Sequence, residues 1–377
     1  MEHREPSFTL GVEEEYLLVD AETLELVEVP EPLMKECLAH LGKSVSPEFL
    51  RCQIEVGTGV CDTVADARAD LSNLRRTVKE LCNGYGMTPI AASTHPFSMW
   101  QEQEFTDKER YRDLERDLAG VARRMLICGM HVHVGIEDDE LRIQLMNQFR
   151  YFLPHLLALS TSSPFWEGRE TGLHSYRLTV FDNLPRTGLP PSFTSFAEYQ
   201  RAVQTIIDTK AIEDSTKIWW DLRPSARFPT LESRICDVMP KLDEALAIVA
   251  LTQSLMKMLY TLQQQNKQWR HFDNFLIAEN RWRAQRYGLQ GGLIDFGTGK
   301  VSPPEEMLVE LITLAEPHAK DLKCDDELGR LRNMLSNGTS SQRQVATYNN
   351  AIKVGESQDI ALKKVVASLV SEFDADI

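Results

Sequence analysis

The sequence lacks a C-x-x-C pair, a long apolar run and a basic N-terminal segment, and each absence excludes a class of protein. Seven cysteines are scattered along the chain, which is typical of reduced thiols and disfavours a zinc–thiolate site. The longest purely apolar run, Ala245 to Leu251, is too short to cross a membrane. The first residues, MEHREPSFTL, show no apolar segment of a signal peptide, so we expect a cytoplasmic protein without a membrane partner.

An excess of basic residues is also missing, since the net charge is −15. Nucleic-acid-binding proteins normally carry a basic stripe, so we expect no nucleic-acid partner. An anionic substrate such as ATP is compatible with this charge, because bound metal ions can invert the local potential. The hydrophobic content of 42% is ordinary for a soluble globular protein, and taken with the other bulk features it makes an enzyme a reasonable first expectation.

The common nucleotide-binding loops are incomplete in this chain. The segment 297–300 resembles the end of a phosphate-binding loop, but Val301 stands where Ser or Thr is required and Ile294 where the first glycine is required. Gly57-Thr58-Gly59 lacks the third glycine of a dinucleotide turn. Any use of ATP must therefore depend on a different fold.

Strand patterns dominate the first two-thirds of the chain, and helical patterns dominate the last third. The predicted strands are 8–19, 23–29, 48–57, 87–92, 125–136, 216–220 and 230–236, and the predicted helices are 63–83, 138–160, 241–265, 304–316, 325–336 and 357–373. This order predicts an α+β fold with an antiparallel or mixed sheet. We expect one catalytic domain, 1–377, sheet-rich over 1–240 and mainly helical over 241–377, with loops at 185–192 and 288–304 as candidate lids.

Four predicted strands carry polar side chains at alternating positions. Successive side chains of a strand point to opposite faces, so each polar pair shares one face while apolar neighbours take the other. The pairs are Glu13 and Glu15, Gln53 and Glu55, His131 and His133, and Glu232 and Arg234. Alternation turns Glu14 away from this face. Four such strands in one sheet would line a trough suited to divalent metals and a phosphate group.

Simpler explanations exist for these pairs. The acidic pair of the first strand could be an exposed strand end, and the pair of the last strand could be an ordinary salt bridge. Glu55 lies between apolar residues, where an unpaired carboxylate is costly, and this favours a metal or a basic partner. Which of His131 and His133 binds metal stays open at this stage.

Two basic segments are candidates for substrate and nucleotide binding. In GRETGLHSYR, the residues Arg169, Tyr176 and Arg177 could bind a substrate carboxylate, although a solvated loop fits the pattern equally well. In the predicted helix ENRWRAQRY, Arg281 and Arg286 could reach the phosphates of a nucleotide. The tryptophan of that helix is expected to pack against the core.

The ordered set of segments resembles the YbdK-type carboxylate–amine ligases of the glutamate–cysteine ligase 2 family. In chain order the segments are GVEEEY, HVHVG, GLHSYR, TLESRICD and ENRWRAQRYG, and the likeness runs from about residue 8 to at least residue 295. The resemblance implies a glutamine-synthetase-like fold, in which helices lie outside a curved antiparallel sheet. Its concave face would hold divalent metals, ATP and the amino-acid substrate.

The resemblance also implies roles for individual residues. The implied ligands for Mg²⁺ or Mn²⁺ are Glu13, Glu15, Glu55, His131 and Glu232, with His133 as a further candidate. Arg234 would act in catalysis by steadying the transferred phosphate, and Glu55 would act beside it. Arg169 and Tyr176 fall only loosely on substrate-binding positions, because the spacing of that loop departs from the family pattern.

The implied reaction is ATP-dependent glutamate–cysteine ligation, weak in rate, through a γ-glutamyl phosphate. A phosphotransferase of the same fold, acting on a guanidino or amine substrate, is one alternative. A metal-dependent hydrolase, in which His131 and His133 surround an activated water, is another, and a small-molecule binder without catalysis is a third. Expected partners are amino-acid and amine substrates; the true acid and amine, the number of metals and a homo-oligomer are left open.

Overall fold

The computed structural model describes residues 5–377, except for the side chains at positions 110 and 114. The strands are β1 (Leu10–Asp20), β2 (Val45–Pro47), β3 (Gln53–Gly57), β4 (Met87–Ile90), β5 (Gly129–Gly135), β6 (Phe165–Trp166), β7 (Arg169–Glu170), β8 (Thr187–Gly188), β9 (Trp219–Trp220), β10 (Leu222–Pro224), β11 (Thr230–Asp237), β12 (Leu293–Asp295) and β13 (Lys300–Ser302). The α-helices are α1 (Glu31–Leu41), α2 (Val64–Asn83), α3 (Glu109–Leu118), α4 (Asp139–Phe149), α5 (Leu153–Ser160), α6 (Arg177–Phe181), α7 (Phe196–Asp208), α8 (Leu242–Gln264), α9 (Asn274–Tyr287), α10 (Pro304–Leu322), α11 (Asp325–Gly329), α12 (Asn333–Asn337), α13 (Ser340–Lys353) and α14 (Gln358–Asp374).

A seven-stranded antiparallel sheet lies at the centre of the fold. Six strands follow the order β10-β11-β5-β1-β3-β2, and β4 pairs with the end of β1. The first half of β1 pairs with β5, its middle pairs with β3, and β5 pairs in turn with β11. The four strands with alternating polar residues are therefore direct neighbours in one sheet.

The opposite face of this sheet packs on helices. Glu14 and Tyr16 of β1 are fully buried there, next to Arg75 of α2 and Phe373 of α14. The rings of Tyr16 and Phe373 meet edge-on with their centroids 5.2 Å apart. The outcome confirms that alternation turns Glu14 away from the polar face.

Helix α2 follows directly from its sequence. Thr63 precedes the helix, and its hydroxyl accepts a hydrogen bond from the Asp66 backbone N–H while the Asp66 carboxylate accepts one from the Thr63 backbone N–H. This reciprocal cap satisfies two donors that a helix start otherwise leaves unpaired. Apolar residues then recur every three or four positions and are buried, as the sequence predicted.

Helix α8 runs through the core. Of the described residues 5–377, it is the one helix with the length and apolar composition of a membrane span, and 83% of its most apolar window is buried inside the fold. The side chains from Ala245 to Met256 are buried without interruption. We therefore assign α8 to the core of the protein.

All seven cysteines are buried, and none forms a disulfide. Burial raises the pKa of the thiols of Cys52, Cys82 and Cys236 to about 12. At neutral pH these thiols are therefore protonated and poorly nucleophilic.

Some predicted elements differ from the structure. The predicted strand at 23–29 is a turn followed by extended chain, in which Leu26 forms a single bridge to Val19. The sequence patterns did not predict α1, α7 or α13. The expected loops at 185–192 and 288–304 contain short strands, since β8 pairs with β9 and β12 pairs with β13.

Candidate active site

The polar face of the sheet borders a cavity of about 370 Å³. Residues from β1, β3, β5, β10 and β11 line one wall, and residues from α6 and from the loops around Glu48 and Arg227 line the others. Eight of the twelve residues to which the sequence analysis assigned a catalytic, metal-binding, substrate-binding or nucleotide-binding role are on its wall: Glu13, Glu15, Glu55, His131, His133, Arg177, Glu232 and Arg234. The topology thus brings together side chains from five separate parts of the chain: β1, β3, β5, α6 and β11.

Glu13 lies at the centre of this wall, between the two histidines. His131 is its cross-strand neighbour, and His131 Nδ1 lies 3.0 Å from Glu13 Oε2. His133 Nε2 lies 3.6 Å from Glu13 Oε1. Burial raises the pKa of Glu13, but the neighbouring imidazoles of His131 and His133 outweigh burial and hold this pKa well below its usual range. Glu13 is therefore a carboxylate at neutral pH.

Glu13, His133 and Glu232 form a cluster with the spacing of a metal site. One ligand atom of each lies within 4.8 Å of the others. His133 Nε2 is buried without a hydrogen-bond partner in the structure, while His133 Nδ1 lies 2.9 Å from the Thr230 hydroxyl. A hydrogen bond at one ring nitrogen orients the other toward a metal, which is how imidazole ligands are commonly held. This geometry favours His133 as the ligand, whereas the family resemblance pointed to His131.

Two guanidinium groups flank Glu232. Arg223 Nε donates to Glu232 Oε2 at 2.9 Å, and Arg234 Nη1 donates to Glu232 Oε1. Burial raises the pKa of Glu232, but the charges of Arg234 and Arg223 outweigh burial and hold it far below its usual range. Arg234 Nε is buried without a partner, so this guanidinium keeps a donor for a further acceptor.

Arg223 is a residue that the sequence patterns missed. It lies opposite Glu232 in the pairing of β10 with β11, on the same face. The predicted strand ended at residue 220, so the sequence could not show that Arg223 pairs with Glu232. The alternation in Leu222-Arg223-Pro224, together with the short connection to β11, was the signal that could have found it.

A second group of carboxylates lies at the other end of the wall. Glu15 and Glu55 are cross-strand neighbours, and Glu48 lines the cavity beside them. Glu15 accepts a hydrogen bond of 2.7 Å from the Gly129 backbone N–H, and Glu55 accepts one of 3.1 Å from the Ser46 hydroxyl. Burial, and then the nearby charges of Glu48, Glu13 and Glu15, raise the pKa of Glu55 well above its usual value.

Glu48 was also missed, because the chain turns before β3. An uninterrupted strand over 48–57 would place Glu48 on the face opposite Gln53 and Glu55. In the structure, residues 51 and 52 form a turn, and the strand begins at Gln53. The turn breaks the alternation and brings Glu48 to the cavity.

Arg177 lies at the junction of the cavity with the start of β5. It is 2% exposed, and its Nη2 donates to the Arg234 backbone carbonyl at 3.2 Å. Its guanidinium carbon lies 5.4 Å from the centroid of the Phe181 ring. Arg177 Nε is buried without a partner. This cation is therefore placed on the cavity wall with donor capacity to spare.

Three other predicted site residues, Tyr176, Arg169 and Arg286, do not line this cavity. The ring of Tyr176 instead packs against the ring of Trp166, with the two centroids 5.3 Å apart. Arg169 is exposed on the short ribbon of β6 and β7. Arg286 donates to the Gly172 carbonyl. None of these contacts points toward the cluster of carboxylates.

Arg281 is the fourth, and its contacts explain why it lies elsewhere. Its guanidinium is held by two carboxylates, with Nη1 2.7 Å from Asp182 and Nε 2.7 Å from Asp221. These two pairs leave it poorly placed to bind a nucleotide phosphate. The expectation that Trp282 packs against the core is wrong, since its side chain is 48% exposed.

Comparison with known proteins agrees with this geometry. A model of glutamate-cysteine ligase family 2 matches residues 9–368. The chain belongs to this family. Two relatives, provisionally named glutamate–cysteine ligase 2, come from Jannaschia sp. strain CCS1 and Ruegeria pomeroyi. The first is 60% identical over 98% of each chain, and the second is 55% identical over 98% of this chain and 96% of its own.

The fold is shared with solved enzymes of low sequence identity. A glutamate–cysteine ligase of Francisella tularensis, in complex with AMP, gives a TM-score of 0.70 at 12% identity, over 99% of this chain and 90% of that one. A bifunctional glutathione synthetase of Pasteurella multocida gives 0.66 at 14% identity, over 97% of this chain and 53% of that one. The glutamine-synthetase-like α+β fold expected for a family 2 ligase is thus confirmed.

Proposed function

We propose that this protein is an ATP-dependent carboxylate–amine ligase that joins the γ-carboxylate of glutamate to an amine. Family membership and the shared fold support this function. The observation that carries it is the placement of Glu13, His133 and Glu232 beside the guanidinium groups of Arg223 and Arg234. Such a site combines oxygen and nitrogen ligands for a divalent cation with fixed positive charge for phosphate.

The residues of the cavity fit a divalent metal. The buried Nε2 of His133 lies 3.6 Å from Glu13 Oε1 and makes no hydrogen bond among the described residues, and a coordinated cation would satisfy it. Burial, and then the charges of Glu48, Glu13 and Glu15, raise the pKa of Glu55, and a cation would relieve the repulsion among these carboxylates. We propose that Glu13, His133 and Glu232 hold one Mg²⁺ or Mn²⁺, and that Glu15 and Glu55 bind a further ion.

The reaction needs an activated carboxylate, because a free carboxylate is a poor electrophile. In the first step an oxygen of the glutamate γ-carboxylate attacks the γ-phosphorus of ATP, and ADP leaves. In the second step the amine nitrogen attacks the acyl carbon, loses a proton, and inorganic phosphate leaves. Bound divalent cations supply charge neutralisation along the phosphates in such transfers.

The protein's own groups position and neutralise the reactants. Arg234, with a free buried donor, and Arg223 would bind the oxygens of the transferred phosphoryl group and stabilise its charge. Arg177 would bind a substrate carboxylate, since its remaining donors lie on the cavity wall. Arg169, Tyr176, Arg281 and Arg286 have no part in this proposal. A cytoplasmic location stays part of it, as an inference from the sequence.

Removal of a single carboxylate of the cluster tests the site. We expect E13Q and E232Q to lower ATP-dependent ADP release with glutamate by at least a hundredfold, because each removes a charged ligand while preserving shape. ADP release and hydroxamate formation from hydroxylamine are measured with Mg²⁺ and Mn²⁺, and circular dichroism checks the fold. E22Q, at an exposed turn, is the matched control and should keep full activity.

Three results would contradict the proposal. Full activity of E13Q or E232Q would show that Glu13 and Glu232 do not hold a catalytic metal ion. A phosphorylated guanidine or amine in place of an amide would identify a phosphotransferase instead. Hydrolysis that proceeds without ATP would identify a metal-dependent hydrolase.

A further inference from the structure

One end of the cavity is apolar. Six of its wall residues, here called the apolar lobe, are Leu118, Met125, Ile127, Phe181, Leu184 and Trp219. Ile127, Phe181 and Leu184 belong to a small buried hydrophobic cluster, and Leu118, Met125 and Trp219 pack against it. Leu118, Met125 and Trp219 are only partly buried, so apolar surface remains accessible inside the cavity. Accessible apolar surface in a concave site is typical of a ligand-binding wall.

The apolar lobe adjoins the reacting groups. Ile127 belongs to the lobe, and its carbonyl accepts a hydrogen bond of 2.8 Å from Gln53, two residues before Glu55. Phe181 packs under the guanidinium of Arg177. The backbone N–H of Gly129, two residues after Ile127, donates to Glu15. A molecule in the lobe would thus lie beside both Arg177 and the carboxylates.

The chemistry of the substrates decides what the lobe holds. Glutamate and the triphosphate of ATP are charged, and the arginines and carboxylates of the cavity match them. The adenine ring of ATP is neutral, but its ring nitrogens and amino group need hydrogen-bond partners, and five of the six side chains of the lobe carry no oxygen or nitrogen. The lobe therefore suits an apolar part of the remaining substrate. The gain from burying apolar surface grows with the area buried, and cysteine has a single CH₂ group, which covers little of six side chains. We infer that the acceptor is an amine with a branched or aromatic apolar body rather than cysteine.

This inference depends on the proposed ligase function, and the test separates the two. ADP release and amide formation are measured with ATP, Mg²⁺, glutamate and each of several acceptors: hydroxylamine, cysteine, alanine, leucine, phenylalanine and 2-phenylethylamine. We expect kcat/KM for the best apolar amine to exceed that for cysteine by at least tenfold. Hydroxylamine is too small to need the lobe, so hydroxamate formation reports activation of glutamate alone.

Variants of the lobe give a second readout. We expect M125Q and L118Q to raise the KM for the apolar amine by about tenfold, while hydroxamate formation changes less than twofold. Calorimetry with 2-phenylethylamine, in the presence of glutamate, Mg²⁺ and a non-hydrolysable ATP analogue, should show the same loss of affinity. M34Q is the matched control, because Met34 is half-buried in α1 and does not line the cavity.

Two outcomes overturn the inference while the ligase function stands. One is hydroxamate formation together with cysteine or alanine as the best acceptor. The other is an unchanged affinity for 2-phenylethylamine in both M125Q and L118Q. An absence of both hydroxamate and ADP with every acceptor would instead contradict the proposed function.

Discussion

At the scale of single residues, the ion pair between Arg75 and Glu14 lies entirely inside the core behind the site. Both side chains are 0% exposed, and Arg75 Nη2 lies 2.6 Å from Glu14 Oε1. The Tyr16 hydroxyl donates to the same carboxylate at 2.5 Å, and Arg75 also donates to the backbone carbonyls of Met239 and Pro240. Every charge here has partners, which is what a buried ion pair requires.

Loss of Arg75 should therefore cost much stability. R75M leaves the Glu14 carboxylate buried without its cation, so we expect the free energy of unfolding to fall by about 3–5 kcal/mol. Urea denaturation measures the change. K35M removes a comparable pair with Glu31 on the exposed face of α1 and should cost less than about 1 kcal/mol. If R75M and K35M proved equally mild, the pair would have no structural role.

The site residues divide according to what alternation can predict. Glu13, His131, His133 and Glu232 were predicted together, because they lie in regular strands where period two decides the face. Glu48 could not be predicted, because it depends on a turn between residues 50 and 53 rather than on a pattern. Tertiary contacts, unlike strand faces, leave no local signal in the sequence.

At the scale of secondary structure, Gly129 at the start of β5 leaves room for a cation. A methyl group there would lie 2.3 Å from Arg177 Nη2 and 2.8 Å from its Cζ. Glycine is needed at this position because the guanidinium crosses the strand at van der Waals distance. The strand and the cation are thus fitted to each other.

We expect G129A to displace Arg177 and to lower kcat/KM for glutamate by about a hundredfold, since a shift of roughly 1 Å in a binding group costs that much. Steady-state kinetics of ADP release measure the loss, with thermal unfolding as a check on the fold. G120A is the control, because no atom of the described residues lies within 4 Å of a methyl group there. Equal kinetics for the two variants would show that Arg177 does not bind the substrate.

The helices show where periodicity fails. Helix α13 was missed because its buried side is mostly polar, with Ser340, Ser341 and Gln344 facing the core. Its Gln344 amide donates to the Ser162 carbonyl, so hydrogen bonds replace apolar contacts there. In α9, the sequence could show that Arg281 is cationic, but its partners Asp182 and Asp221 lie 99 and 60 residues away along the chain.

At the scale of the whole molecule, two buried histidines make stability depend on pH. Burial lowers the pKa of His95 to about 3 and that of His155 to about 4, against an unfolded value of 6.5. Between pH 4 and 6.5 the unfolded chain binds more protons than the folded protein, so the free energy of unfolding rises with pH there. The stability of the fold with both imidazoles neutral is fully present above pH 6.5, and it is lost progressively as the pH falls below that value.

As the pH falls from 7 to 5, we expect the free energy of unfolding to decrease by roughly 2 kcal/mol for each of these histidines. Urea denaturation at several pH values measures the slope. H155F removes one titrating group while keeping an aromatic ring of similar size, so its slope should be smaller by about one proton. A slope identical to that of the wild type would contradict the assignment of His155.

Family and fold were predictable from the sequence because they depend on ordered motifs spread along the chain, as the match over residues 9–368 confirms. The separation of the cavity into a charged end and an apolar lobe was not predictable. The lobe combines Leu118, Met125 and Ile127 with Phe181, Leu184 and Trp219, which lie far apart along the chain, and no sequence pattern indicates that they meet.

The buried cysteines can report how readily each part of the core opens. A thiol reagent in solution cannot reach a protonated sulfur inside the core, so modification waits for a fluctuation that exposes it. Seven positions, distributed from α1 to the residue before α11, would each report the lifetime of their own part of the core. Pulsed alkylation followed by mass spectrometry can thus rank the regions of the native protein by local stability, without any engineered cysteine.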